Sequence, residues 1–176
     1  MSLILFVGLT GSGKTLSMVR YLYEDYLKGY KIYSNIPLSF SHTLIDSKTL
    51  QGWSTNDTQL KNASIGLDEG YLLFDSRRSG SKKSLKMTYF LLQSRKKQVN
   101  VLVTAQTFGS VDKRLRQNLH LMIECQFVLK GNAGIVINER WVRHPIKDWV
   151  GAGRIVFLGN SVYDLYDTHT IVLLED

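Results

Sequence analysis

The order of apolar and polar positions near the start of the chain predicts a strand followed by a helix. Residues 3–7, "LILFV", form a continuous apolar run that stops at Gly8, which is typical of a buried parallel strand. From Lys14 to Lys28 the apolar residues recur at helical spacing, and Gly29 follows as a stop signal. The chain therefore opens with a strand–loop–helix unit.

Further apolar runs predict the rest of a sheet. We expect strands over 31–38, 64–68, 99–105 and 119–129, and helices over 84–97 and 111–118. The polar stretch 39–63 is too long for a structureless loop, so we expect it to hold a short element that the pattern does not locate.

The C-terminal part has a different pattern. After a turn at "GNAG" (131–134), the segments "IVINERWV", "RIVFLG" and "SVYDLYDT" alternate in the way that predicts three antiparallel strands. The whole pattern predicts one α/β domain over residues 1–176, with a core at 1–130 and a β-rich part at 131–176.

Composition is ordinary for a globular protein, but the charge is not neutral. Of 176 residues, 44% are hydrophobic and 21% are charged, and the net charge of +7 favours a polyanionic partner. Nucleic acid is the first choice, and an acidic membrane surface is the second. The single cysteine, Cys125, lies in an apolar run and is expected to be a core residue in a reducing compartment. The apolar N-terminal run is too short for a signal peptide or membrane span.

The loop after the first predicted strand carries the most specific motif. "GLTGSGKT" matches G-x-x-x-x-G-K-[ST], in which glycines let backbone N–H groups surround a phosphate without obstruction. Lys14 can reach the β- and γ-phosphates, and the Thr15 hydroxyl can bind Mg²⁺. The predicted nucleotide-binding residues are Gly8, Thr10, Gly11, Ser12, Gly13, Lys14, Thr15 and Leu16.

Two carboxylates follow the apolar run 64–68. Asp68 ends that run, and we expect its strand to lie beside the P-loop strand, where the carboxylate can bind Mg²⁺ through water. Glu69 comes next and can polarise the attacking water as a general base. Together with the P-loop, this pair predicts Mg²⁺-dependent ATP hydrolysis, with Thr15 and Asp68 at the metal.

Gln106 directly follows the predicted strand at 99–105, which is mostly apolar. Ligands of open α/β sheets bind beyond the carboxyl ends of the strands, so Gln106 should lie at the same edge as the P-loop and Asp68. A side-chain amide there can donate to the γ-phosphate or hold the attacking water. We expect a catalytic or sensing role for it.

Other nucleotide-binding classes fit less well. The chain has no N-K-x-D guanine motif, and "LDEG" is not a D-x-x-G switch. A nucleotide kinase stays open, because the loop "DSRRSGSKKS" could imitate an arginine-rich lid. The same loop is also the best candidate for contacting DNA phosphates without reading bases. Its basic residues are Arg77, Arg78, Lys82 and Lys83.

These motifs together resemble a known superfamily. "GLTGSGKT", the strand ending "LDEG", "QSRKKQVNVLVTAQT" and "VDKRLRQN" are similar to the zonular occludens toxin-like ATPases of filamentous phages. More broadly, they resemble the FtsK–HerA superfamily, which includes viral genome-packaging ATPases. The resemblance implies a RecA-like P-loop NTPase fold of the type with an additional strand and a catalytic glutamate, and it assigns Gln106 to a polar sensor.

The resemblance also implies an oligomeric ring in which an arginine finger reaches a neighbour's nucleotide. Candidate fingers are Arg95, Arg114 and Arg116. Arg95 lies near the end of a predicted helix, where a cation is favoured in any case. Arg114 and Arg116 are two residues apart on a short helix, so at most one should point at phosphate.

The expected function is translocation of double-stranded DNA into a viral capsid, with Mg²⁺ and ATP as cofactors and a capsid, portal or membrane partner. The membrane segment of the toxin-like phage proteins is absent from this sequence, which resembles a minimal motor domain. Phage assembly or extrusion is the alternative with the same chemistry. A nucleotide-dependent assembly switch with little turnover is the alternative from another class. The expected location is the host cytoplasm or the virion.

Overall fold

The computed structural model describes residues 2–56, 60–70, 98–131 and 133–167. Its strands are β1 (Leu3–Val7), β2 (Lys31–Ser34), β3 (Thr43–Leu44), β4 (Ala63–Leu67), β5 (Val99–Ala105), β6 (Leu121–Lys130), β7 (Ala133–His144) and β8 (Asp148–Leu158). Its helices are α1 (Lys14–Leu27), α2 (Ser47–Asn56), α3 (Lys113–Gln117) and α4 (Asn160–Tyr163), with a 3₁₀ turn at Phe108–Ser110. The predicted helix at 84–97 lies outside the described residues.

The eight strands form one sheet in the order β3-β2-β4-β5-β1-β6-β7-β8. In this order, all neighbouring strands from β3 to β6 pair in parallel, while β7 pairs antiparallel with both β6 and β8. The expectation that the strand ending at Asp68 lies beside the P-loop strand is wrong, because β5 pairs with both and separates them. Every position of β5 except Asn100 is buried, as is typical of a parallel strand inside a sheet.

Helix α1 covers one face of the sheet. Its buried face includes Met18, Val19 and Leu22, and these pack in one of the two hydrophobic clusters. A Cβ atom at Gly66 of β4 would lie 2.5 Å from Leu22 Cδ1, so the glycine allows this close approach. The other cluster covers the opposite face. The sheet therefore packs against apolar side chains on both faces, and the polar residues of the site described below lie at or near the ends of its strands.

The C-terminal part confirms two of the three predicted strands. "IVINERWV" lies in β7 and "RIVFLG" overlaps the end of β8. The prediction of a third strand at "SVYDLYDT" is wrong, because residues 161–163 belong to α4 and Tyr166 forms only an isolated bridge with Leu38. Val162, Leu165 and Tyr166 pack against the α1 side of the core, and of the three only Val162 lies in α4.

The structure also tests the predictions for the polar stretch 39–63 and for Cys125. The polar stretch 39–63 holds β3 and α2, as expected of a segment of that length. Cys125 is buried, and burial raises the pKa of its thiol to about 12, which confirms it as a core residue. Within the described parts of the chain, no helix is long and apolar enough to span a bilayer.

Candidate functional site

The loop between β1 and α1 has the backbone that the glycine spacing predicts. Gly8, Gly11 and Gly13 all have positive φ, and Gly13 precedes the helix at φ 83°. At Gly8 a Cβ atom would lie 2.7 Å from the Cys125 carbonyl oxygen and 2.4 Å from Ser12 Oγ. Only glycine fits there, because neither the φ nor the space accommodates a side chain. The loop thus has the winding that a phosphate-binding loop requires.

Lys14 begins the helix and turns back over the loop. Its side chain is buried, and Nζ donates a 2.9 Å hydrogen bond to the Leu9 carbonyl. Ser12 Oγ is buried without a hydrogen-bond partner among the described protein atoms. The loop therefore contains a buried cation and an unpaired hydroxyl, and both suit an anionic ligand. Leu16 differs from the other predicted residues, since its side chain lies in the hydrophobic core.

Asp68 is bonded to hydroxyls from two other elements. Thr15 Oγ1 of α1 donates to Asp68 Oδ1 at 2.9 Å, and Thr104 Oγ1 of β5 donates to the same oxygen at 2.8 Å. Burial raises the pKa of Asp68, although the hydrogen bonds from Thr104 and Thr15 and the charge of Lys14 oppose the rise. The carboxylate is therefore held in one orientation beside the first turn of α1.

The donor set fits a magnesium ion. Mg²⁺ prefers hard oxygen ligands and is commonly held by one or two carboxylates together with substrate phosphates. The Thr15 hydroxyl and the Asp68 carboxylate supply oxygens within hydrogen-bond distance of each other, next to the phosphate-binding loop. No group of three histidine, cysteine or acidic residues suited to a metal occurs in the part of the chain that the structure describes. A magnesium ion here would thus require phosphate oxygens as well.

Glu69 has an unusual backbone and an unpaired carboxylate oxygen. Its φ is 50°, in the left-handed region that non-glycine residues seldom adopt, and its N–H donates to Thr104 Oγ1 at 2.8 Å. Glu69 Oε2 is buried and has no hydrogen-bond partner among the described protein atoms. Such an oxygen is suited to accept a hydrogen bond from a water molecule and then its proton.

Gln106 lies just past the end of β5 and is exposed. It lines a cleft of about 680 Å³ together with residues of the phosphate-binding loop. Phe108 and Glu124 contribute to the other walls of this cleft. The expectation that the P-loop, Asp68 and Gln106 lie at one edge of the sheet is confirmed, because all three follow the carboxyl ends of parallel strands.

The candidate arginine fingers differ in their surroundings. The Arg116 guanidinium lies 5.2 Å from the centre of the Phe108 ring, and its Nε is buried without a hydrogen-bond partner in the described protein. Arg114 is half-buried, and its main-chain N–H donates to Asp112 Oδ1 at 2.7 Å, as part of the cap of α3. Arg95 and the predicted DNA-binding residues Arg77, Arg78, Lys82 and Lys83 lie outside the described residues. The choice of finger thus stays a prediction.

Two residues of the site were missed at the sequence level. Thr104 bonds to Asp68 and Glu69, while Asn35 bonds to the Asp68 main chain on both sides: its Nδ2 donates to the Asp68 carbonyl at 2.9 Å, and its Oδ1 accepts from the Asp68 N–H at 2.7 Å. A threonine within an apolar strand and an asparagine just after a strand were the available signals. Neither is specific, because buried threonines and strand-end asparagines are common.

The strand order and the site together define a class of protein. A phosphate-binding loop follows β1, a carboxylate pair follows β4, and an additional strand lies between them. This is the RecA-like P-loop ATPase fold, with a mainly parallel sheet and an antiparallel C-terminal part. No protein-family model and no curated protein sequence matches the chain.

Solved structures give more particular likenesses. The N-terminal domain of zonular occludens toxin from Neisseria meningitidis superposes with a TM-score of 0.70 at 22% identity, covering 94% of this chain and 98% of that chain. The genome packaging NTPase B204 from Sulfolobus turreted icosahedral virus 2, in complex with ATP-γ-S, has a TM-score of 0.56 at 13% identity, covering 74% and 76%. A KaiC-like protein from Pyrococcus horikoshii has a TM-score of 0.52 at 12% identity, covering 89% of each chain. The resemblance noted from the motifs is thus confirmed at the level of the fold.

Proposed function

We propose that this chain is a Mg²⁺-dependent ATPase. The observation that carries the proposal is the hydrogen-bonded cluster at the helix start, in which Thr15 and Thr104 both donate to Asp68 beside a glycine-rich loop. Gly8–Thr15 would hold the phosphates, and Thr15 and Asp68 would hold Mg²⁺, which supplies charge neutralisation when bound. Glu69 would take a proton from the attacking water, and Gln106 would orient that water or the γ-phosphate.

We further propose that hydrolysis drives translocation of double-stranded DNA, most simply into a viral capsid. The support is the likeness to a packaging NTPase of a virus, together with the net charge of +7, which suits a polyanion. In this proposal the chain works as a homo-oligomeric ring, and an arginine from one copy completes the site of the next. A portal or capsid protein would recruit the ring.

A second candidate is the assembly or extrusion function of toxin-like phage ATPases. It is favoured by the likeness to the zonular occludens toxin domain, which extends over nearly the whole of both chains. Its chemistry is identical, and it differs in requiring a membrane-associated partner.

The first experiment measures ATP hydrolysis with Lys14→Ala and Glu69→Gln beside the wild type. Lys14→Ala should lose nucleotide binding and turnover. Glu69→Gln should bind ATP and lose turnover, because an amide cannot accept the proton of water. Matched controls are Lys61→Ala and Glu24→Gln, which make the same chemical changes at a surface lysine and at a partly exposed glutamate on α1. Wild type that binds ATP tightly but never hydrolyses it would favour a nucleotide-dependent switch instead.

The second experiment separates the two candidates by their activators. Turnover is measured with duplex DNA and, separately, with vesicles containing phosphatidylglycerol. Stimulation by duplex that grows with protein concentration supports a packaging ring. Stimulation by vesicles alone supports the assembly or extrusion function, and stimulation by neither would count against both.

The basic loop predicted from the sequence has its own test. Arg77→Ala combined with Lys82→Ala should weaken duplex binding and flatten the dependence of log K on log salt by about two units, since each phosphate contact contributes roughly 0.9. Lys61→Ala combined with Lys130→Ala, two exposed lysines elsewhere, is the control. An unchanged slope in the loop variant would assign DNA contact to another surface.

A further inference from the structure

The residues Asp68 and Glu69 are held from both sides by neighbouring strands. In the sheet, β4 lies between β2 and β5. Asn35, just after β2, bonds to the main-chain N–H and carbonyl of Asp68. Thr104 of β5 contacts the pair in a different way, since it reaches the side chain of one residue and the backbone of the other.

The geometry of the Thr104 hydroxyl gives it two roles at once. Its single proton goes to Asp68 Oδ1 at 2.8 Å, and its oxygen accepts the Glu69 N–H at 2.8 Å. The side chain is fully buried, so water does not compete for either bond. One hydroxyl thereby sets both the orientation of a carboxylate and the position of the next peptide group.

Strand alternation places this hydroxyl on the correct face of the sheet. Val101, Val103 and Ala105 pack in the cluster opposite α1, whereas Leu102 packs on the α1 side. Position 104 shares the face of Leu102, because residues two apart in a strand point the same way. That face is the one from which Thr15 approaches Asp68. A polar side chain at any odd position from 101 to 105 would point into the opposite cluster.

We infer that Thr104 is a positioning residue for hydrolysis, and that its hydroxyl aligns Asp68 for the metal and Glu69 for the attacking water. The inference rests on the proposed ATPase function and extends it to a side chain that does not itself touch substrate. Both Thr104 and Thr15 bond to Oδ1, so neither bond occupies Oδ2 of the carboxylate. The bond to the Glu69 N–H stabilises a backbone conformation that glutamate seldom adopts.

The experiment compares Thr104→Val with Thr104→Ser. Valine has the shape of threonine without the hydroxyl, and serine keeps the hydroxyl without the methyl group. Ser64→Ala is the matched control, because Ser64 lies at the opposite end of β4 from Asp68. The change removes a buried hydroxyl that is hydrogen-bonded to Asp25 of α1. Each variant is assayed for kcat and KM, for melting temperature, and for binding of trinitrophenyl-ATP in Mg²⁺ or in EDTA.

Thr104→Val should lower kcat by about 10- to 100-fold and raise KM for Mg²⁺·ATP, as is usual when a partner that orients a metal ligand is lost. It should bind trinitrophenyl-ATP normally in EDTA and lose the increase in affinity that Mg²⁺ gives the wild type. Thr104→Ser should restore both kcat and the Mg²⁺ response, whereas Ser64→Ala should change only the melting temperature. If Thr104→Val does not fold, Thr104→Ala is the second variant without a hydroxyl.

Three results would overturn the inference. They are full kcat and Mg²⁺ response in the valine variant, an equal loss in the serine variant, or an equal loss in Ser64→Ala. A wild type that does not hydrolyse ATP would refute the proposed function alone, since the trinitrophenyl-ATP measurement still decides whether Thr104 prepares the site for Mg²⁺. Thr104→Val that responds to Mg²⁺ as the wild type does would then refute the inference as well.

Discussion

Thr15 Oγ1 donates a 2.9 Å hydrogen bond to Asp68 Oδ1, although 53 residues separate them in the chain. The bond joins the first turn of α1 to the end of β4, two strands away from β1. It brings the two oxygens expected at a magnesium ion together beside the phosphate-binding loop.

Asp68→Asn should abolish hydrolysis and stabilise the metal-free fold. Burial raises the pKa of Asp68 above its ordinary value, which means that the folded state disfavours the ionised form relative to the unfolded chain. At pH 7 the charge therefore costs stability, and a neutral amide of the same shape removes that cost. Urea denaturation in EDTA should show a higher free energy of unfolding for the variant. A lower value would mean that the hydrogen bonds from Thr15 and Thr104 outweigh burial.

Gln106→Ala should keep nucleotide binding and lose most hydrolysis, by about 100- to 1000-fold if the amide stabilises the transition state. Because Gln106 is exposed, the melting temperature should not change. Hydrolysis and trinitrophenyl-ATP binding are measured together, with Gln117→Ala, an exposed glutamine of α3, as the control. Full activity in the Gln106 variant would show that this residue is an ordinary loop residue without a role in hydrolysis.

Gly8→Ala should prevent nucleotide binding and lower stability by at least about 1–2 kcal/mol, the usual cost of a left-handed backbone for an L-residue. The added Cβ would also meet the Cys125 carbonyl oxygen at 2.7 Å, and that oxygen belongs to the backbone of the adjacent β6 and cannot turn away. Gly109→Ala is the control, since its added Cβ would meet no atom within 4 Å among the described residues other than its chain neighbours. Melting curves and trinitrophenyl-ATP binding decide the outcome, and normal binding by Gly8→Ala would contradict the proposed loop geometry.

When assayed by itself, the Arg114→Ala variant should not hydrolyse ATP if Arg114 acts across a subunit interface. When it is mixed with the Glu69→Gln variant, part of the hydrolysis should return. In a mixed ring, a variant with an intact Glu69 can receive an arginine from its neighbour. Arg116→Ala, mixed in the same way, should instead lose stability, because its guanidinium packs on Phe108 of its own chain. Recovery with the Arg116 variant and none with the Arg114 variant would reverse the assignment.

Much of the site follows from local sequence, for a physical reason. Glycine spacing determines the winding of the loop from Gly8 to Gly13, and apolar periodicity determines β1, α1 and β5. Because parallel strands end at one edge of a sheet, the placement of Asp68 and Gln106 near the loop was also predictable. These features depend on neighbours in the chain or on a general rule of α/β sheets.

The tertiary structure decided what depends on strand order and register. Insertion of β5 between β1 and β4 contradicted the expected neighbours, because strand order depends on pairing between segments far apart in the chain. The bonds of Thr104 and Asn35 to Asp68 span more than 30 residues and require a particular register of three strands. Only the first residues of "SVYDLYDT" are helical, and Val162, Leu165 and Tyr166 all pack on the α1 side of the core, which the alternating pattern did not predict. The local sequence pattern thus determined which residues are candidates for binding and catalysis. Only the packing of the strands decided which other side chains hold those residues in position.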